Sequence, residues 1–402
     1  MTNNHEEKVS KFLQSDDPAL RKMGLTLILG AGIDKSCYDD LFAVSFFDPE
    51  ETNRETGRSV ISKSFPDLME ELKSFWKRYE EGEYDPYQFT YDFNLEDFLN
   101  HFHSKFSLKY DIDISNMLVK AHALLCDSEG RVPESHKELI GGFVKFWGSQ
   151  RYIPSKEIMI SIFNQFGEDG PGRDVLNTIN IFSGEDVEDM LIQDLLSKRY
   201  FMMNLIDESA KQLALMKSSR ISERLVENFE LGYGRIRLLQ GGLPRIRDMI
   251  WCLGELGNCN GLEDLLDFCR ETLFPLRLDG WEPLSASAYA AAQLSHCNEK
   301  LALDYLDELT EHRSEWVIES ALYAMGMIGS KKSIPKIENL MKGKRARGHS
   351  GGFGWGHYMP LTNKTGQVVL DAINKCEKLE KTSSPWPPHH EWSRGEFDYT
   401  QK

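Results

Sequence analysis

Two stretches of the chain carry enough positive charge to grip an anion. Residues 198–247 hold ten lysines and arginines against five acids, a local excess inside a chain whose 47 basic and 63 acidic residues sum to −16. Arg235, Arg237, Arg245 and Arg247 crowd its end, and a guanidinium is a planar fork suited to carboxylate or phosphate. The second stretch, 342–364, opens with Lys342, Lys344, Arg345 and Arg347 and then alternates glycine with His349, Phe353, Trp355, His357 and Tyr358. Glycines let backbone N–H groups approach an anion while rings stack on a planar ligand. The residues expected to contact a partner are therefore Arg235, Arg237, Arg245, Arg247, Lys344, Arg345, Arg347, His349, Trp355 and His357. The competing reading is structural: solvated helix faces, and an ordered loop docked through Trp355.

A mirror image lies at 79–98, where seven acids alternate with four tyrosines and three phenylalanines and no base occurs. Acid with aromatic suits capture of a basic peptide, because rings give rigid contact area and carboxylates steer the approach. The same pattern serves a loop whose rings plug a helical junction. Catalytic signals are missing: there is no glycine-rich phosphate-loop spacing, no nucleophile elbow, no dinucleotide fingerprint and no HExxH. His101 and His103, two apart, diverge on a helix. No catalytic residue, metal ligand or cofactor is expected. Seven cysteines, at 37, 126, 252, 259, 269, 297 and 376, form no Cys-x-x-Cys pair. Most of them read as small buried hydrophobes in a reducing compartment, without a disulfide framework.

The elements that must position these residues read as helices. Leu95, Phe98, Leu99 and Phe102 make one stripe, Ile114, Met117, Leu118, Ala121 and Leu125 another, and Leu139, Ile140, Phe143, Val144 and Trp147 a third. Steps of 3, 4 and 1 place each set on one face of a 3.6-residue helix. Only 108–114 (LKYDIDI) alternates with period 2, and a single strand has nothing to pair with, so an extended connector is expected. At 402 residues with 41% hydrophobic and 27% charged side chains, the chain can bury a core, and its length suits several domains or a stacked array. The longest nearly unbroken apolar run, 23–33, is far short of the roughly 20 residues of a membrane-spanning helix. The polar N-terminus lacks the apolar region of a secretory signal, so a cytoplasmic address is expected.

Self-similarity is the strongest organising signal. With Pro18 set on Pro244, Leu20 meets Ile246, Arg21 meets Arg247, Met23 meets Met249 and Leu27 meets Leu253. WCLGELGN (251–258), AAAQLSHC (290–297) and YAMGMIGS (323–330) also fall in register, and each precedes a second amphipathic stripe. The unit is a helix pair whose small residues, among them Ala288, Ala291, Ala292, Ala321 and Ala324, allow close approach. One pair cannot hide its apolar stripes alone, so neighbours must stack.

On DPALR (17–21), PRIR (244–247), LGELGN (253–258), MGMIGSKKSIPKIENLM (325–341) and a weaker copy from Asp48 through Arg54 to Ile61, the chain resembles HEAT repeats, including the HEAT-like, PBS-lyase-type helical repeats of bacteria and archaea. The resemblance implies an all-α fold, an armadillo-like α-solenoid (superhelix) of antiparallel helix pairs. It implies N-terminal repeats over 1–80, a divergent helical region over 81–198, C-terminal repeats over 199–380 with the glycine and aromatic-rich loop at 342–364, and a flexible or strap-like tail over 381–402. The function it implies is a non-enzymatic scaffold that holds a protein partner on its helical surface. Some HEAT-like proteins are DNA glycosylases acting on alkylated bases, and Asp248 with Trp251, like Trp316 with Glu319, supply a carboxylate and a ring at helical spacing beside Arg245 and Arg247. Nucleic acid is therefore the alternative partner, although the acidic balance fits duplex DNA poorly. Another HEAT-like group attaches bilins to cysteines, with no residue here to single it out.

Overall fold

The computed structural model describes residues 3–70, 95–197, 206–229, 243–276, 281–342 and 361–381. Among them every regular element is helical and none is a strand. No helix is long and apolar enough to cross a membrane. The chain divides into two compact units, 1–182 and 183–402.

The first unit comprises α1 (Asn3–Leu13), α2 (Pro18–Ala31), α3 (Tyr38–Phe47), α4 (Glu51–Ser64), α5 (Leu95–Phe102), α6 (Ile114–Leu125), α7 (Lys137–Gln150), α8 (Lys156–Phe166) and α9 (Pro171–Thr178). Local chemistry starts α2: Asp17 accepts a hydrogen bond from the Ala19 N–H at 2.8 Å, and Pro18 fills the first position, where its missing N–H has no helical partner to lose. α3 is buried from Asp40 through Phe47 and packs on α4 and α6. A Cβ on Gly57 of α4 would lie 2.9 Å from the Cα of Ser45, so α3 and α4 meet almost backbone to backbone. Phe42 joins Phe46, Phe65 and Phe102 at centroid distances of 5.7–6.2 Å, and Trp147, fully buried on α7, donates its indole N–H to the Ser115 carbonyl at 3.1 Å.

Two arginines of the sequence repeats do the same work here. The Arg21 guanidinium reaches both carboxylate oxygens of buried Asp48, at 2.6 and 2.9 Å, and donates to the carbonyls of Ser15 and Asp16. Arg54 donates to the carbonyls of Asp48 and Pro49, the corresponding turn before its own helix. The expected extended connector at 108–114 is corrected. Residues 103–107 form a π-turn and 108–110 a short α-turn that prolong α5, Asp111 turns left-handed (φ 59°), and α6 begins at Ile114. The alternation of LKYDIDI thus straddles a helix end and a helix start.

The second unit comprises α10 (Glu185–Ser197), α11 (Glu208–Met216), α12 (Ser219–Glu227), α13 (Leu243–Leu256), α14 (Leu262–Phe268), α15 (Trp281–Gln293), α16 (Glu299–Leu309), α17 (Glu315–Ile328), α18 (Ile334–Lys342) and α19 (Leu361–Asn374). α10 and α11, on either side of the expected boundary at 198, pack against each other. α13 packs on α15, α15 on α17 and α17 on α19, while α14, α16 and α18 each pack beside members of that row. α15 and α17 are buried almost all round, as a helix flanked on both sides must be. α13 and α15 approach closely at a pair outside the alanines singled out by the sequence: a Cβ on Gly254 would lie 2.8 Å from the Cα of Ala290. Gly257 and Gly329, with φ of +70° and +72°, close α13 and α17 in the left-handed conformation that a side chain would strain.

The expectation of buried, unpaired cysteines is corrected at four positions: Cys126 is half-buried, Cys376 is exposed, and Cys259 and Cys297 are paired. Cys37, Cys252 and Cys269 are buried as expected, but Cys259 and Cys297 are joined in a disulfide with Cα atoms 5.4 Å apart. They lie 38 residues apart in sequence, in the turn after α13 and the turn after α15. Successive helix pairs thus bring two distant cysteines together, which spacing alone does not disclose.

Candidate functional site

Of the residues expected to contact a partner, Arg235, Arg237, Lys344, Arg345, Arg347, His349, Trp355 and His357 lie outside the described residues. So do 79–94 of the acidic and aromatic stretch and the tail beyond 381. Arg245 and Arg247 are described, and neither presents a fork to a partner. Arg245 is buried and donates to the Leu196 carbonyl at 2.8 Å. Arg247 is fully buried, 2.7 Å from Asp248 and 3.4 Å from Glu282. The expectation is corrected for both: Arg245 reaches the end of α10 and Arg247, one turn into α13, reaches Asp248 and the start of α15, so each is turned into the packing rather than toward solvent.

Around Arg247 a polar seam links the starts of helices in the second unit. The Asp207 N–H, at the cap of α11, donates to Asp248 at 3.3 Å. Glu282 opens α15 and Glu319 stands one turn into α17. Burial holds Glu282 above the usual carboxylate range even beside Arg247, whose nearer contact goes to Asp248. Burial pushes Glu319 up to about 7, although the Thr365 hydroxyl on α19 donates to it at 3.1 Å and favours its charged form. Trp281 and Trp316 meet edge to face at 4.4 Å between centroids. The carboxylate and ring pairs picked out by spacing are thus brought onto one row, but Asp248 is fully buried, Glu319 is 2% exposed and Trp251 7%. A base lifted from a duplex needs an accessible carboxylate, and none of these offers one.

The opposite ends of the same helices carry an extended piece of the chain itself. After α19, residues 377–381 have no regular structure and run back along the row. The Leu379 N–H donates to the Gly326 carbonyl at 3.1 Å, and its side chain packs where Gly326 has no Cβ, 2.5 Å from where one would stand. The Tyr323 hydroxyl on α17 donates to the Glu380 carbonyl at 3.0 Å, and Lys381 pairs with Glu255 at the end of α13. Glu255 also accepts from the Tyr289 hydroxyl of α15, whose pKa burial and that carboxylate push far up. The Gly326 carbonyl, the Tyr323 hydroxyl and the Glu255 carboxylate, itself bonded by Tyr289, thus form a track for extended backbone and a cation. The sequence pattern singles out neither Tyr289 nor Tyr323 as a hydrogen-bonding group, and the residues after 381, expected to form a flexible or strap-like tail, lie outside the described residues.

A scan against models of known protein families finds no match, and a search of curated proteins finds none.

Proposed function

We propose that the second unit is a stack of HEAT-like helix pairs, a solenoid segment, and that the protein is a non-enzymatic scaffold holding a protein partner in extended form on the face that carries the track. The observation that supports this most is residues 377–381 lying over α17 and reaching α13, bound through backbone hydrogen bonds and one ion pair. A surface that holds extended chain in this way recognises backbone and positive charge rather than a reacting group. The packing of α13 on α15, α15 on α17 and α17 on α19 supports this reading, in which each helix pair covers its neighbour's apolar stripe. Arg235, Arg237, Lys344, Arg345, Arg347, His349, Trp355 and His357 remain the residues proposed to orient the partner.

Affinity capture of the tagged full chain, read by quantitative mass spectrometry, tests the proposal. A discrete set of proteins is expected, lost on reversing charge at Lys344, Arg345 and Arg347 together, with the melting temperature within a few degrees of the parent. Retention unaffected by that variant overturns the role given to those residues, and tight binding of duplex DNA at physiological salt with a steep salt slope overturns the scaffold reading in favour of nucleic acid.

A further inference from the structure

Three side chains unconnected with the seam or the track converge where the turn after α13 meets the turn after α15. Nε2 of His296 stands 3.8 Å from the sulfur of Cys259 and 3.4 Å from that of Cys297. All three donor atoms lie within 4.8 Å of one another. Cys259 and His296 are exposed and Cys297 is half-buried, so solutes reach them. Nδ1 of His296 is 2.9 Å from the Gln293 carbonyl, which can only accept, so Nδ1 is the donor there and Nε2 is the nitrogen turned toward the sulfurs. A ring whose far nitrogen donates to a carbonyl is how metal-ligating histidines are held.

Metal–sulfur bonds of about 2.3 Å and metal–nitrogen bonds of about 2.0 Å at tetrahedral angles require sulfur–nitrogen edges of roughly 3.5 Å and a sulfur–sulfur edge of roughly 3.8 Å. The two sulfur–nitrogen edges already have these lengths. The remaining edge joins two sulfurs that are bonded to each other in the disulfide, and reduction frees them to separate. The frame around the site is firm. Asn258 caps the Cys259–Gly261 turn by accepting from the Asn260 N–H at 3.1 Å, and Asn298 caps α16 by accepting from the Leu301 N–H at 3.1 Å.

We propose that Cys259, Cys297 and His296 form a redox-gated site for one zinc ion, bound by two thiolates and Nε2 with the fourth position open to water. In the gate, a dithiol reductant passes two electrons and two protons to the Cys259–Cys297 bond and leaves as its own cyclic disulfide. Zinc then displaces the two thiol protons to solvent. In the reverse direction a small-molecule disulfide takes two electrons from the thiolates, its halves take up two protons and leave as thiols, the sulfurs rejoin and zinc departs as the aquo ion. Softness favours such thiolate and imidazole donors for zinc over magnesium or calcium.

The full chain, reduced, freed of reductant under nitrogen and titrated with cobalt(II) as an optical probe, should show one equivalent bound with a thiolate-to-metal charge-transfer band. One equivalent of zinc should displace it. Cys259→Ser and Cys297→Ser should each abolish the band and weaken zinc at least 100-fold against a chromophoric chelator. His296→Gln should keep a thiolate band and weaken zinc about tenfold or more. Cys376→Ser, at an exposed cysteine outside the cluster, should change nothing. Far-UV circular dichroism in the same reduced buffer confirms that each variant is folded, and parent and variants are compared there without the disulfide. Oxidised glutathione should release one equivalent of zinc and restore the bond, mapped by peptide mass. A disulfide that resists reduction, absence of the band in the reduced parent, or binding indifferent to the cysteine variants and thus an adventitious ion only, overturns the proposal.

Discussion

Arg21 and Arg247, paired by the sequence repeat, are both nine-tenths or more buried and both clamp a carboxylate, the first Asp48 and the second Asp248 and Glu282. A buried pair adds little net stability over an apolar replacement, but removing one partner strands the other charge away from water. Arg21→Leu should therefore cost roughly 3–5 kcal/mol in urea denaturation. Lys11→Ala, which breaks the exposed pair with Glu7, should leave the midpoint where it is. Glu319 carries a pH signature. Its pKa is raised to about 7 in the folded chain by burial, so the folded state binds its proton more tightly than the unfolded state does. Its contribution to stability is thus full below about pH 4.5, is lost as pH rises toward 7 and changes no further above, a total of roughly 3 kcal/mol. Glu319→Gln should flatten that part of the profile, leaving the slope of the same sign from Glu282. Denaturation midpoints for parent and variant that stay parallel from pH 4.5 to 8 would contradict this assignment.

At the scale of elements, contact between helices is decided by what the smallest side chains permit. Gly254 of α13 faces the Cα of Ala290 on α15 with no room for a Cβ. Gly254→Val should therefore force the two helices apart and destabilise the chain by roughly 1–3 kcal/mol. Gly30, inside α2, is the opposite case, with open space where a Cβ would stand. Gly30→Ala should raise stability by roughly 0.4–1 kcal/mol, because the unfolded chain loses freedom while the helix gains no clash. Thermal melts of the two variants shifting in the same direction would show that packing of α13 on α15 is not the constraint.

On the molecular scale, the division at 182/183 separates two bodies that each have a core: one built on α3 and α7, the other on α13, α15 and α17. A chain of residues 183–402 should fold alone, with helical circular dichroism and one cooperative thermal transition. A broad, non-cooperative melt would mean that the second core is incomplete without the first. The strap at 377–381 belongs to this body and should protect the Gly326 carbonyl end of α17, so ending the chain at 374 should speed amide exchange there without loss of helix.

The helical character of α6, α7, α13, α14, α16, α17 and α18 was legible in apolar stripes at 3.6-residue spacing, and the ends of α13 and α17 in Gly257 and Gly329, because backbone geometry and burial act on neighbours in sequence. The arginine equivalence of 21 with 247 was legible too, though not its meaning: a charged residue on a helix reads the same whether water or a carboxylate of another helix receives it. What lay beyond local pattern was every relation across tens of residues. Glu319 against Thr365, Lys381 on Glu255, and Cys259 joined to Cys297 beside His296 exist only once helix stacks on helix. Propensity and periodicity are local quantities, whereas burial, pairing and pKa are set by whichever distant side chain the packing brings within a few ångströms.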